Sequence, residues 1–284
     1  MSLSKANRVK SFAKINLALN ITSKLSKLHK IESIITFANL HDLIFIKAIK
    51  ASNHKISFYG KFSNNINKNN TVNKLFKILD DFKLIDNKKF QIKIKKNIPQ
   101  ESGLGGGSMN ASNILNFLIK KKIIKVNKKK ILTISNLIGS DVILGIKPSS
   151  CILMSNNKIK KFTKCPKFHI LLVKPNFGCS TKKIYSGVRK FTKPLFNNPK
   201  KIMFEPDFLS KQENGLENIA FLKYPRLKKI KIYLENLNNP SFVRMTGSGS
   251  VLIAYYQSKR HCELAKVQFK TKFKNYWCNT SKTI

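Results

Sequence analysis

Apolar and polar residues alternate along positions 11–21, Ser-Phe-Ala-Lys-Ile-Asn-Leu-Ala-Leu-Asn-Ile. This predicts a strand with Ala13, Ile15, Leu17, Leu19 and Ile21 on one face and Lys14, Asn16, Ala18 and Asn20 on the other. Lysine and asparagine on an open face are poised for a ligand, although an ordinary half-exposed strand has the same pattern. Further strand signals lie at 43–47 and 55–59. An asparagine-rich loop follows, then a helix over about 71–82 with Val72, Leu75, Phe76 and Leu79 at helical spacing. Phe90, Ile92 and Ile94 alternate as another strand, and beyond it Ala111, Ile114, Leu115, Leu118 and Ile119 fall on one helical face. A short helix is expected over 128–138. The range 147–164 is polar and lysine-rich, and 168–173 is a continuous apolar strand, which places a domain boundary near residue 160. The second half carries a polar stretch over 186–206, helices near 217–221 and 227–237, a strand at 251–256 and a final helix over 259–269.

Between the strand at 90–94 and the helix that starts near 110 lies Pro99-Gln100-Glu101-Ser102-Gly103-Leu104-Gly105-Gly106-Gly107-Ser108. Four glycines without Cβ atoms let successive N–H groups turn toward one point, and the following helix adds its dipole, so this strand–loop–helix suits phosphate. Each dipole interaction contributes only about 0.3–1 kcal/mol when exposed, so several donors must act together. No Gly-Lys-Ser/Thr ends the loop, and Ser108 stands where a dinucleotide-binding fingerprint needs glycine. A flexible surface turn is the plainer alternative, but it rarely needs four glycines in five residues.

Asp141, after Gly139-Ser140, is the only carboxylate between Glu101 and Glu205. An aspartate there is most often a turn or cap residue. It is also the only candidate near the glycine loop in sequence for the carboxylate that phosphoryl transfer uses to orient or deprotonate an attacking hydroxyl. A further glycine loop, Thr246-Gly247-Ser248-Gly249, precedes the strand at 251–256 and could close over the same phosphates.

Composition changes the picture less than its numbers suggest. The 284 residues hold 55 Lys+Arg and 13 Asp+Glu, a net charge of +42. The 42% apolar content supplies a sizeable core and excludes a disordered polycation. Only five of the basic residues are arginine, the residue of bidentate phosphate and base recognition, and the lysines are dispersed. With 30 asparagines beside them, they read as compositional drift, so no dedicated nucleic-acid role is expected. Five scattered cysteines without a C-x-x-C pair indicate neither a disulfide framework nor a zinc site. No apolar stretch reaches the ~18 residues of a membrane span. Lys14, Asn16 and Asn20 interrupt the run at 12–21, which is therefore no signal peptide. A soluble, cytoplasmic protein of unspecified oligomeric state is expected.

Phe12-Ala13-Lys14-Ile15-Asn16-Leu17, Pro99 with Gly103-Leu104-Gly105-Gly106-Gly107-Ser108, and Thr246-Gly247-Ser248-Gly249 together resemble the GHMP kinases, in order and spacing, over nearly the whole chain. The resemblance implies an α+β fold with an N-terminal nucleotide-binding domain (1–160) and a C-terminal ferredoxin-like substrate domain (161–284). Leu28-His29, Gly139-Ser140-Asp141-Val142 and Asn214-Gly215-Leu216-Glu217 resemble the branch acting on cytidine-diphosphate-linked methylerythritol in non-mevalonate isoprenoid synthesis. That branch implies transfer of the ATP γ-phosphoryl group, with Mg2+ on the nucleotide, to the substrate's 2-hydroxyl. Asp141 would be the base or orienter, Lys14 would hold it ionised and stabilise the hydroxyl oxygen, and Asn16 would orient the substrate. His29 and Tyr185 match the cytidine side. Lys96, Pro99, Gly103 to Ser108 and Asn110 match the ATP side, with Asn70 and Val72 near the adenine wall. Alternatives are a homoserine- or mevalonate-type member and a catalytically silent RNA-binding relative. The chain departs from the family pattern at Leu28, Glu101, Met109 and Asn110, where tyrosine, glycine, serine and often aspartate are usual.

Overall fold

The computed structural model describes residues 6–26 and 28–284; the Leu28 side chain, and with it the departure noted there, lies outside the described residues. The chain divides into two compact units, each assembled from separate segments. One comprises 1–13, 40–100 and 105–148; the other comprises 14–39, 101–104 and 149–284. Two long strands, β1 (Asn7–Leu25) and β2 (Leu28–Ile49), contribute residues to both. The alternation over 11–21 is therefore the middle of a longer strand. Both of its faces are buried from Ala13 to Ile21. The face expected to be open is an internal polar surface, with Lys14 only 4% and Asn16 only 3% exposed.

In the first unit the end of β2 pairs antiparallel with β4 (Lys89–Lys95), and β3 (Lys55–Tyr59) runs parallel to β4. Helices α1 (Thr71–Asp81), α2 (Gly106–Lys120) and α3 (Lys128–Ile138) close one core with this sheet. That core includes Ile44, Ile92, Leu75, Phe76, Ile114, Leu118 and Ile134. Asn70 and Asn127 start α1 and α3 by accepting first-turn N–H groups, the usual advantage of asparagine at an N-cap. The α2 helix is buried over more than its apolar face, because Asn110, Ser112, Asn113 and Asn116 are also inside.

In the second unit β5 (Cys151–Leu153) and β6 (Ile159–Lys161) form a hairpin on the first part of β2. It occupies the lysine-rich range that reads as a composition break. Asn157, with φ 65°, makes its turn in a backbone region that asparagine tolerates. Next come β7 (His169–Lys174) and the short helices α4 (Thr181–Tyr185) and α5 (Pro206–Ser210). They are followed by α6 (Glu217–Lys223), α7 (Pro225–Glu235), β8 (Phe242–Met245), β9 (Leu252–Tyr256), α8 (Lys259–Lys272) and β10 (Trp277–Lys282). The sheet order is β10-β7-β9-β8, antiparallel throughout, with helices between β7 and β8 and between β9 and β10. This is the β-α-β-β-α-β ferredoxin-like arrangement. Leu171, Val173, Ala220, Leu227, Ile230, Leu252, Ala265 and Phe269 are in its core.

Candidate active site

In the first unit the glycine loop becomes a helix at Gly105, whose φ of 64° lies in the left-handed region that glycine enters without strain. No side chain caps α2, so the N–H groups of its first turn face outward as donors. Close packing requires the next glycines: a Cβ at Gly106 would stand 3.0 Å from Ile98 Cγ2, and one at Gly107 would stand 3.2 Å from Thr71 Oγ1. Thr71 Oγ1 also donates to the Gly107 carbonyl at 2.7 Å, tying the head of α1 to the loop.

The loop is anchored by Asp42, a residue the sequence did not single out. Its fully buried carboxylate accepts Asn97 N at 2.7 Å and Ile98 N at 2.9 Å through Oδ1. Oδ2 accepts Asn110 Nδ2 at 3.0 Å and the ammonium of Lys96. Lys96 is thereby held beside Gly106, where a Cβ would be 3.4 Å from its Nζ. Pro99 is buried in the same segment. Met109 packs inward against Gly145, and Asn110 turns to Asp42, so neither departure from the family pattern presents a new side chain at the surface of the loop.

Asp141 stands at the start of a short 3-10 turn, Val142–Gly145, and its carbonyl accepts Leu144 N at 3.2 Å. Its side chain makes no capping bond.

In the second unit Lys14 Nζ donates to Asn16 Oδ1 at 2.8 Å. Asn16 Nδ2 donates to Ser33 Oγ at 2.8 Å, and Asn16 N donates to Thr246 Oγ1 at 3.0 Å. The Lys14 backbone N–H reaches the Leu104 carbonyl at 3.0 Å. Residues far apart in sequence therefore converge on one buried polar cluster. Gly103, with φ 75°, lies so close to Thr246 that a Cβ there would overlap the Thr246 carbonyl oxygen. Gly247, with φ 53°, lies beside both Gly103 and Asn16. Ser248 Oγ meets Thr181 Oγ1 at 2.9 Å, and Gly249 N closes the turn on Thr246 O at 3.0 Å. Asn214 Nδ2 holds the same loop through the carbonyls of Met245 and Gly247, both at 2.8 Å. Glu217 accepts Met245 N at 2.8 Å. Burial pushes the neighbouring Cys151 thiol up to about 12 despite the charges of Lys161 and Lys14, leaving it inert.

His29 and Tyr185 also meet, with ring centroids 5.2 Å apart. Burial, aided by Lys24, lowers the His29 pKa and favours the neutral imidazole. Glu101 lies against the bare Cα of Gly178 and near Lys174, whose pKa it raises against the larger lowering effect of burial.

Residues 70–149 match the model for the GHMP kinase N-terminal domain. A relative from Pelagibacter ubique (strain HTCC1062), named 4-diphosphocytidyl-2-C-methyl-D-erythritol kinase, is 59% identical over 277 residues, 98% of this chain and 99% of its own. The chain belongs to the GHMP kinase family. A like-named relative from Petrotoga mobilis is 32% identical over 86% of this chain and 96% of its own. A crystal structure of 4-(cytidine 5'-diphospho)-2C-methyl-D-erythritol kinase superposes with a TM-score of 0.79 at 20% identity, covering 98% and 99% of the two chains. The α+β architecture expected of a GHMP kinase is the one observed. No described helix is long and apolar enough to cross a membrane.

Asp42, Glu32 and Asn214 are the polar residues of this GHMP kinase that sequence reasoning missed as organisers. The available signal was scarcity: a chain with 13 acids places two of them in the apolar strand β2.

Proposed function

We propose that this chain is a cytoplasmic ATP-dependent kinase that phosphorylates the 2-hydroxyl of 4-diphosphocytidyl-2-C-methyl-D-erythritol in the non-mevalonate isoprenoid pathway. The observation that carries the reading is the 59% identity, over 98% of the chain, to a relative of that name. The functional division follows the resemblance: residues 1–160 hold ATP through the loop Gly103 to Ser108 with Lys96, Pro99 and Asn110, and residues 161–284 complete the substrate side.

In the reaction the hydroxyl oxygen forms a bond to the γ-phosphorus while the bond to the β–γ bridging oxygen breaks, and ADP leaves. The hydroxyl proton passes to the Asp141 carboxylate. Lys14 supplies positive charge for the carboxylate and the hydroxyl oxygen, and Asn16 fixes the Lys14 ammonium through the bond at 2.8 Å. His29 and Tyr185 receive the cytidine. The loop Thr246 to Gly249 supports Asn16 and Gly103 from behind. Such transfer depends on positioning and charge stabilisation more than on covalent chemistry.

Magnesium, bound to the nucleotide phosphates, neutralises the charge that develops during transfer. Among the described residues no three His, Cys, Asp or Glu side chains converge as a cage. The loop would suit a magnesium that arrives on ATP, and the Ser108 hydroxyl is an oxygen that could hold it.

Steady-state ADP release with this substrate, homoserine and mevalonate side by side tests the reading. Turnover should require the cytidine-diphosphate substrate. Asp141→Asn should lower kcat by roughly 10²–10⁴ with ATP affinity unchanged. A variant as fast as the wild type would remove Asp141 from its role, and turnover of mevalonate or homoserine alone would overturn the substrate assignment.

A further inference from the structure

Of the five arginines only Arg244 is buried, with 4% of its surface exposed. It lies in β8, two residues before Thr246. No carboxylate pairs with it among the described residues; its donors go to backbone carbonyls. Nη1 donates to Leu17 O at 2.6 Å and Nη2 donates to Gln212 O. The Phe242 ring covers the guanidinium, with its centroid 4.8 Å from Cζ.

Taking a cation out of water is expensive unless hydrogen bonds satisfy it. Here the bonds go to two segments that run side by side. Leu19 N donates to Glu213 O at 3.0 Å, and Gly215 N donates to Leu19 O at 2.8 Å. Leu17 in turn follows Asn16, whose N–H reaches Thr246 Oγ1 at 3.0 Å and whose Oδ1 holds the Lys14 ammonium at 2.8 Å. Arg244, Thr246, Asn16 and Leu17 therefore form a closed circuit of two short stretches of chain and two hydrogen bonds. Loosening the bond at Leu17 leaves β1 held to β8 at this point by Thr246 alone. A planar fork fixes two carbonyls at once, which the compact ammonium of lysine does not.

We propose that Arg244 is a positioning residue for the phosphoryl transfer, acting through Leu17 and Asn16 to set the Lys14 ammonium. Arg244 makes no hydrogen bond to Lys14, so its effect passes through β1. The inference rests on the kinase reading proposed above.

The test uses the full-length protein with Arg244→Lys and Arg244→Ala, each with and without Asn16→Ala. A misplacement of about 1 Å can cost 100-fold, so Arg244→Lys should lower kcat by roughly 10- to 100-fold. Its KM for ATP should stay within about twofold, because α2 and its N-terminal donors belong to the first unit. With Asn16→Ala already present, the same change should cost less than about threefold, since the route to Lys14 is cut. Arg244 also lines a polar cavity of about 410 Å³ with Gln212, Asn214, Glu217 and Lys231. Millimolar guanidinium chloride should therefore restore part of kcat to Arg244→Ala, and potassium chloride at equal ionic strength should not. Hydrogen exchange at the Asn16 and Leu19 amides reads the same circuit without turnover, and should quicken by at least about tenfold in Arg244→Lys.

The proposal falls if Arg244→Lys keeps kcat within about twofold, or if its loss multiplies with that of Asn16→Ala. It also falls if kcat and ATP affinity decline together or the variant does not fold, the marks of a merely structural role. Failure of the kinase reading looks different. Wild type that turns over no cytidine-diphosphate substrate overturns that reading, and exchange at Asn16 and Leu19 still judges the hold of Arg244 on β1.

Discussion

Asp42 accepts the Lys96 ammonium and the Asn110 side-chain amide on one carboxylate oxygen, joining the residue that follows β4 to the N-terminal part of α2 inside the core. The same carboxylate holds the backbone of Asn97 and Ile98, so four donors depend on it. Asp42→Asn keeps the shape but leaves Lys96 buried without a counter-charge, a loss of about 3–5 kcal/mol. Urea unfolding should show that loss, with a rise in KM for ATP. Adding Lys96→Met to Asp42→Asn should recover part of the stability, because it removes the uncompensated charge. A double variant less stable than Asp42→Asn would contradict this account of the network.

Glu101 and Gly178 form a second dependent pair. Glu101 has φ 46°, in the left-handed region, and its side chain fills the space over the Gly178 Cα. A Cβ on Gly178 would overlap Glu101 Oε2 and stand 2.5 Å from the Glu101 Cβ. Gly178→Ala should therefore lower the melting temperature, and Glu101→Gly should rescue it. Glu101→Gly also relieves a backbone cost of roughly 1–2 kcal/mol. The check is a thermal double-mutant cycle with a coupling of at least about 0.5 kcal/mol. Strictly additive effects would show that the two positions do not meet.

His54 provides a pH dependence. It lies between Phe76 and Phe90, with centroids 4.5 and 5.9 Å away. Its Nδ1 accepts Phe90 N at 3.1 Å and so must be unprotonated, while Nε2 faces Asp80 Oδ2 at 3.1 Å and carries the proton. Burial lowers the His54 pKa below 6.5 and outweighs the opposing Asp80 charge; Lys89 lowers it further. With the folded pKa below the unfolded one, this stabilisation is complete above pH 6.5 and lost as pH falls through the folded value. Urea midpoints should drop between about pH 7.5 and about pH 5.5, and His54→Gln should drop less. The comparison isolates His54, since burial also lowers His29 and His169. Equal slopes in both proteins would exclude it.

Local pattern made much of the fold legible. The spacing of Val72, Leu75, Phe76 and Leu79 gave α1, and glycines 103 and 105–107 gave the turn into α2. The ends of elements and the strands β8 and β10 were not legible. Trp-Cys-Asn-Thr-Ser-Lys has no apolar alternation, because β10 is an edge strand that pairs only with β7. Most of β2 was hidden for a different reason. Glu32, Ser33, Thr36 and Asp42 interrupt its apolar pattern, yet all are buried. Their partners lie far along the chain: Glu32 with residues 195 and 196, Thr36 with Ser150, and Asp42 with residues 96 to 98 and 110. Such compensation exists only in three dimensions. The candidate site was visible because Lys14 and Asn16 alternate with apolar residues in β1, and the polar face they form is what Thr246 and Ser33 complete.

The central claim is the hydroxyl that receives the phosphate, and ³¹P NMR of the reaction mixture tests it most directly. Carbon 2 of 4-diphosphocytidyl-2-C-methyl-D-erythritol bears a methyl group and no hydrogen, so a phosphate on its oxygen has no three-bond proton coupling. The account predicts a new monoester signal without proton splitting, growing with one equivalent of ADP. A monoester split by neighbouring protons, or ADP formed with no new ester, would contradict it.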